Sequence, residues 1–224
     1  SLVGSEMCIR DRLNRLYIGN SMFAGKYIDI AAAGNTVVPH NKLHFLWEGV
    51  KNSPEGDIVE IGTWKGGTSL VIAASAREYK SKSKVYLCDT FTGIALAGPN
   101  DNYHKDGDFG DTSKQHVQNL LQSQGLSNFS LLEGIFPYDT GHLIDSDKIS
   151  FLHIDVDTYA GYLAILRWAQ NRLVDGAILV FDDYSAWSCL GAKKAVDEYF
   201  LNRTDFEMHL TLDNNSSWAR YKKN

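Results

Sequence analysis

Asp57-Ile-Val-Glu-Ile-Gly62-Thr-Trp-Lys-Gly66-Gly67-Thr-Ser69 is an apolar strand that runs straight into a glycine-rich turn and then a helix. In an open α/β sheet, ligands sit at the carboxyl ends of the strands, and a turn of this kind beside a helix N-terminus grips a nucleoside-containing ligand. Glycine at 62 allows a sharp turn and lets a ligand approach the backbone with no Cβ in the way, while Gly66-Gly67 keep the following helix close. The spacing is G-x-x-x-G-G rather than G-x-G-x-x-G, and no Gly-Lys-Ser/Thr follows. Trp64 stands where the dinucleotide fingerprint admits a pyrophosphate, so the turn suits a nucleoside without phosphates.

Outward from this unit, apolar strands alternate with helical patterns. Upstream, Leu43, Leu46, Trp47 and Val50 form the stripe of an amphipathic helix over Asn41 to Lys51, preceded by a polar, glycine-containing lead. Downstream come a helix from Thr68 to about Tyr79, a strand at Val85–Asp89, a helix from Ser113 to Gln124 stopped by Gly125, and a strand at Phe129–Leu132. Ile149–Asp155 precedes a helix from Tyr159 to Leu173, and Ala177–Asp182 precedes one from Leu190 to Leu201. Two late segments, Phe206–Leu212 and Ser217–Tyr221, flank Asp213-Asn-Asn-Ser and read as a hairpin. Unbroken apolar runs such as Ala177-Ile-Leu-Val-Phe181 suit strands covered on both faces. The fold expected is therefore α/β: a doubly wound, mostly parallel sheet closed by an antiparallel hairpin.

Two of these strands end in acid, Asp155-Val-Asp157 and Asp182-Asp183. One aspartate at a strand end is an ordinary helix cap, as Asp157 ahead of Thr158-Tyr159 would be. Four carboxylates on one rim repel one another unless a cation intervenes, and an all-oxygen donor set favours Mg²⁺, Mn²⁺ or Ca²⁺. Gly62, Asp89, Gly134, Asp155 and Asp182 all fall at strand ends and are expected to line one site, with Asp89 placed to accept hydrogen bonds from ribose hydroxyls. His153 lies inside a strand and reads as a packed core residue, as do Trp47, Trp168, Tyr199 and Phe200 in helices. His104, on a long polar loop from Ala95 to Thr112 that reads as a lid, is the better candidate base.

At 224 residues and 44% apolar content the chain can bury one full core, and residues 1–12, which show no helical or strand period, read as a non-native or disordered tail ahead of a single domain over 13–224. A net charge of −5, with no run of Lys or Arg longer than Lys222-Lys223, gives no footprint for nucleic acid or an anionic membrane. A small molecule is the expected partner, with a second copy of the chain as a further candidate. Cys8, Cys88 and Cys189 are odd in number and widely spaced, matching neither a disulfide framework nor a zinc pattern, which implies a reducing cytoplasm. No stretch reaches the ~18 apolar residues of a membrane helix, and no signal-peptide core is visible.

Val59-Glu-Ile-Gly-Thr-Trp-Lys-Gly-Gly67, Asp89-Thr-Phe-Thr-Gly93, Leu152-His-Ile-Asp-Val-Asp-Thr-Tyr159, and Asp182-Asp-Tyr184 with Gly191-Ala-Lys-Lys-Ala-Val-Asp197 resemble the macrocin O-methyltransferases in four motifs in the right order, from about residue 40 to the end. The chain departs from the usual family residues at Thr63, Lys65 and Val156, beside the motif positions rather than on them. The resemblance implies the seven-stranded, Rossmann-like sheet of S-adenosylmethionine-dependent methyltransferases, and Mg²⁺-dependent methylation of a sugar hydroxyl. By position it implies Glu60, Gly62 and Asp89 for S-adenosylmethionine. Thr63, Trp64, Gly67, Thr68, Ser69, Thr90, Gly134 and Phe136 complete the expected cofactor-binding set. It implies Asp155, Asp182 and Asp183 for the metal, and leaves Asp155, Asp157 and His104 as candidates for the catalytic base. Two other readings compete: a metal-dependent glycosyltransferase using Asp155-Val-Asp157 as its D-x-D, and a methyltransferase-like binding protein without turnover.

Overall fold

Alternate residues of β1 (Asp57–Ile61) face opposite layers, and both layers are apolar, which is why the strand is buried in the middle of a sheet. A computed structural model describes residues 22–210 and 217–222. In it β1 pairs in parallel with β2 (Val85–Asp89) on one side and β4 (Ile149–Ile154) on the other. β3 (Phe129–Glu133) extends the first side and β5 (Leu173–Phe181) the second, both in parallel. β7 (Ser217–Tyr221) is antiparallel to β5, and β6 (Phe206–Leu210) is antiparallel to β7. The seven strands run in the order β3-β2-β1-β4-β5-β7-β6, so the direction of winding reverses between β1 and β4. That switch point opens a crevice at the carboxyl ends of the two strands.

Six α-helices cover the sheet among the described residues: α1 (Met22–Ala32), α2 (His40–Asn52), α3 (Gly67–Tyr79), α4 (Lys114–Ser123), α5 (Tyr159–Ala169) and α6 (Leu190–Phe200). One core joins α1 to α4 with inward residues of the sheet such as Ile58, Leu87 and Phe151; the other joins α5 and α6 with Val59, Leu152 and Leu179. Trp47 is wholly buried in the first, while Trp168, Tyr199 and Phe200 pack at the margin of the second. The expected doubly wound sheet with its antiparallel end is present. The hairpin turn at 213–216 and the tail at 1–12 lie outside the described residues.

Two elements differ from the sequence reading. The lead before residue 40 contains α1, which has no acidic first turn and a glycine at position 25; it is stabilised by burying Ala24, Tyr27, Ile28 and Ala31 rather than by local signals. α5 ends at Ala169, and Leu173 opens β5 instead of closing the helix. Leu173 pairs with Ile149, and Gly176 then turns the strand at φ +79, which hides its first half from an alternation reading.

Candidate active site

Gly62 has φ +92, and a Cβ there would lie 1.7 Å from the carbonyl oxygen of Asp155. The ends of β1 and β4 therefore approach so closely that only glycine fits. The next turn is held by Asp89 at the end of β2. Its Oδ2 accepts from the backbone N–H of Thr63 (2.7 Å) and Trp64 (2.8 Å), and its Oδ1 from Phe91 N–H (2.7 Å). Trp64 and Phe91 both sit in the left-handed region, at φ 44 and 54, so this one carboxylate fixes two strained residues.

A cleft of about 360 Å³ opens at the switch point, within the usual size for a small-molecule site. Of the expected cofactor residues, Gly62, Thr63, Trp64, Thr68, Asp89, Thr90, Gly134 and Phe136 line it. Glu60, Gly67 and Ser69 stand behind the wall. Glu60 is fully buried, accepting from the Ser69 hydroxyl with one oxygen and lying 3.0 Å from His153 Nδ1 with the other. Gly67 donates to the carbonyl of Asn35, where a Cβ would meet that oxygen at 2.6 Å, so its role is close packing of α3.

The loop from Ala95 to Thr112 is tied at several points. Asp111 bridges Trp64 Nε1 (2.8 Å) and Lys65 Nζ (2.6 Å), and the Thr112 hydroxyl donates to the carbonyl of Trp64. Asp101 accepts from Tyr159 N–H at the start of α5, and Asn102 from Leu190 N–H at the start of α6 (2.9 and 3.0 Å). Each satisfies a donor that a helix N-terminus leaves free, so the loop serves as the cap of two helices. This attachment carries His104 to the cleft wall.

Carboxylate oxygens of Asp155, Asp182 and Asp183 all lie within 4.8 Å of one another. Burial, then the charge of Asp182, pushes Asp155 well above the usual carboxylate range; burial, then the charge of Asp157, does the same to Asp183. Burial would raise Asp182 too, but His153 and Lys42 outweigh it and hold that carboxyl low. Lys42 Nζ is 3.0 Å from Asp182 Oδ2, and His153 Nε2 is 3.8 Å from Oδ1. His153 is itself opposed by burial, yet its two acidic neighbours push it up to about 10. The sequence reading of His153 as core is half of the matter: it is wholly buried, and it also links Glu60 to Asp182. Lys42 was missed, since nothing in an amphipathic helix marks one lysine as turned inward.

Asp157 is separate from the trio. At φ 62 it turns back so that its N–H donates to Asp183 Oδ2 (3.0 Å), while its Oδ1 accepts from the Cys189 thiol (3.1 Å) and lies 3.7 Å from His104 Nε2. Burial raises its pKa above the usual range. The Tyr162 hydroxyl, 3.0 Å from Asp183 Oδ2, completes the floor.

A Gly62 turn at the end of β1, an acid at the end of β2 and a reversal of winding beside β4 define a methyltransferase-type α/β sheet with its cleft at the switch point. The family model "Macrocin-O-methyltransferase (TylF)" matches residues 28–221, and the chain belongs to that family. Among its relatives, mycinamicin III 3''-O-methyltransferase of Micromonospora griseorubida is 27% identical over 71% of this chain and 66% of its own length. The 8-demethyl-8-(2,3-dimethoxy-alpha-L-rhamnosyl)-tetracenomycin-C 4'-O-methyltransferase of Streptomyces olivaceus is 26% identical over 64% of this chain and 58% of its own. The matched part thus spans about two thirds or less of these two relatives. The solved O-methyltransferase NovP superposes with a TM-score of 0.73 at 25% identity, covering 86% of this chain and 84% of that one. Among the described residues no helix is long and apolar enough to cross a membrane.

Proposed function

We propose that this protein is an S-adenosylmethionine-dependent O-methyltransferase acting on a hydroxyl of a sugar or sugar-bearing natural product, with Mg²⁺ held by Asp155, Asp182 and Asp183. The observation that carries this reading is that the three carboxylates face the same cleft as the Gly62 turn and Asp89. Family membership supports methyl transfer to oxygen, and the rhamnosyl group in the name of one relative supports a sugar acceptor.

The donor set is hard oxygen throughout, and two of the three carboxyls are raised by burial and then by neighbouring carboxylates, a cost that a divalent cation would relieve. When bound, Mg²⁺ would supply a positive charge that lowers the pKa of a coordinated hydroxyl, and S-adenosylmethionine a methyl on a sulfonium leaving group. The chain does the rest. Asp89 fixes the turn against which the nucleoside end would lie, and Phe136 and Thr68 close the wall beside it. Asp157, outside the trio but beside it and oriented by its N–H bond to Asp183, would take the proton of the attacking hydroxyl, with His104 Nε2 3.7 Å from its Oδ1. Alignment of hydroxyl and methyl by these walls is where most of the rate arises, about 7–11 kcal/mol for a well-oriented pair.

The D-x-D glycosyltransferase reading fits less well, because the trio takes only Asp155 from that motif and recruits Asp182 and Asp183 instead. The test is calorimetry with S-adenosylhomocysteine, with and without Mg²⁺, followed by methyl transfer to sugar hydroxyl acceptors. Binding is expected in the wild type, and turnover is expected to vanish in Asp155→Ala and Asp182→Ala. Folded protein that binds no S-adenosylhomocysteine would overturn the proposal; binding without turnover on any acceptor would leave a binding protein in its place.

A further inference from the structure

Beside the all-oxygen trio the cleft wall holds a second group of different chemistry. His104 Nε2, Asp157 Oδ1 and Cys189 Sγ lie within 4.8 Å of one another, with Sγ 3.1 Å and Nε2 3.7 Å from the carboxylate oxygen. We propose that His104, Asp157 and Cys189 form a binding site for a thiophilic divalent cation of the zinc or cobalt type, distinct from the hard-cation site of Asp155, Asp182 and Asp183.

Three features carry it. In tetrahedral coordination with a sulfur at about 2.3 Å and nitrogen or oxygen at about 2.0–2.1 Å, neighbouring ligand atoms stand about 3.3–3.6 Å apart, and the 3.1 and 3.7 Å spacings about Asp157 Oδ1 lie within a few tenths of an ångström of that range. Three protein ligands leave a fourth position, and all three residues line the open cleft, so that position faces solvent and substrate. The outer support is also in place. Asp108 Oδ2 lies 3.6 Å from His104 Nδ1, on the far side of the ring from Asp157, where a carboxylate can support a metal-binding imidazole. Asp157 is pinned by its N–H bond to Asp183, and Cys189 is held in place as the residue that opens α6.

Without a cation the thiol stays protonated and donates to Asp157, since burial and the charges of Asp183 and Asp157 push it up. Binding would replace that proton: the S–H bond breaks, the proton leaves to solvent, and the cation takes the sulfur lone pair while offsetting the same two carboxylates. The wide sequence spacing of cysteine and histidine hides this group, because loop 95–112, the β4 end and the α6 start meet only in the fold. A bound zinc would occupy Asp157 and His104 together, and to the extent that these handle the acceptor proton it would inhibit methyl transfer. Cation binding itself does not depend on that activity.

The test is a titration of metal-free wild-type protein with Co²⁺ in excess Mg²⁺, read by the thiolate-to-cobalt charge-transfer absorption in the near ultraviolet. The expected result is a band that saturates at one equivalent and is displaced by Zn²⁺. It is expected to be absent in Cys189→Ser, with affinity at least tenfold weaker in His104→Gln, both variants being checked for native circular dichroism. A folded wild type that shows no band would overturn the proposal, as would a band undiminished in Cys189→Ser, which would place the sulfur at another cysteine. Neither S-adenosylmethionine nor an acceptor is present, so failure here is distinct from failure of the methyltransferase reading.

Discussion

Replacing Asp89 by asparagine exchanges one oxygen of the side chain for an NH₂ group and should loosen the whole cofactor wall. The carboxylate accepts three backbone N–H bonds at 2.7–2.8 Å, two on Oδ2 and one on Oδ1. An amide has a single oxygen. If it faces Thr63 and Trp64, its NH₂ meets the N–H of Phe91, donor against donor; turned the other way, it abandons two bonds to keep one. At least one charge-assisted bond is lost, about 1.5–3 kcal/mol. For a chain of this size that corresponds to a fall of about 3–12 °C in melting temperature. The loss also releases Trp64 or Phe91 from the left-handed region that the bonds enforce. The affinity for S-adenosylhomocysteine is therefore expected to drop at least tenfold by calorimetry, and Asp89→Ala, losing all three acceptors, to fall further on both measures. The paired readout separates two roles for this residue. If Asp89 did nothing but bind ribose hydroxyls, Asp89→Asn would lose affinity and keep its melting temperature; that pattern, or no change in either quantity, refutes the reasoning.

Four further outcomes follow from the same geometry. Lys42→Met removes an ammonium 3.0 Å from Asp182 and should tighten Mn²⁺ binding about 3–10-fold by electron paramagnetic resonance; weaker binding would mean that Lys42 positions Asp182 more than it competes with the cation. In Gly191→Ala the new Cβ would stand 1.9 Å from Asp101 Oδ1, so the loop must let go of α5, and protease cleavage within residues 95–112 is expected to accelerate several-fold; an unchanged rate would show that the capping bonds do not hold the loop. Phe151→Ala, at the fully buried centre of β4, should cost about 3–5 kcal/mol in urea unfolding, and a loss below about 2 would contradict the close packing inferred there. His209, stacked on Trp218 at 4.3 Å, has its pKa lowered from 6.5 by burial, with Arg220 and Lys222 adding to the effect and Glu207 opposing it. The unfolded chain then binds that proton more readily, so stability should fall as pH drops below about 6.5 toward the depressed value, and His209→Gln should flatten that slope in a pH series of urea melts.

How much of this was legible in the sequence depends on the range of the interaction that creates each feature. The Gly62 turn, the strand ends at Asp89, Asp155 and Asp182, and the alternation that builds the sheet are local patterns, and the motifs alone carried the family. α1 left no such trace, because its helix is stabilised by what it covers rather than by caps or charge. The electrostatics of the site were equally hidden. Four aspartates at strand ends suggest a cation, but Lys42 meets Asp182 across 140 residues and His153 meets Glu60 across 93, and both pairings are set only when α2 and the switch point come together. Their consequence is physical. Lys42 and His153 both act on Asp182, which alone of the trio is held low, while Asp155 and Asp183 are driven up by burial and by their like-charged neighbours. A cluster of this kind is balanced on one side and strained on the other. The strained side, Asp155 and Asp183, is where an added divalent charge gains most, and it is also the side against which Asp157 is anchored. Asp183 would then both share in holding the cation and anchor the candidate base, so Asp183→Asn is expected to lower metal affinity and to shift the pH profile of turnover together, where Asp155→Asn, which leaves the Asp157 anchor intact, is expected to lower metal affinity and turnover without re-orienting Asp157.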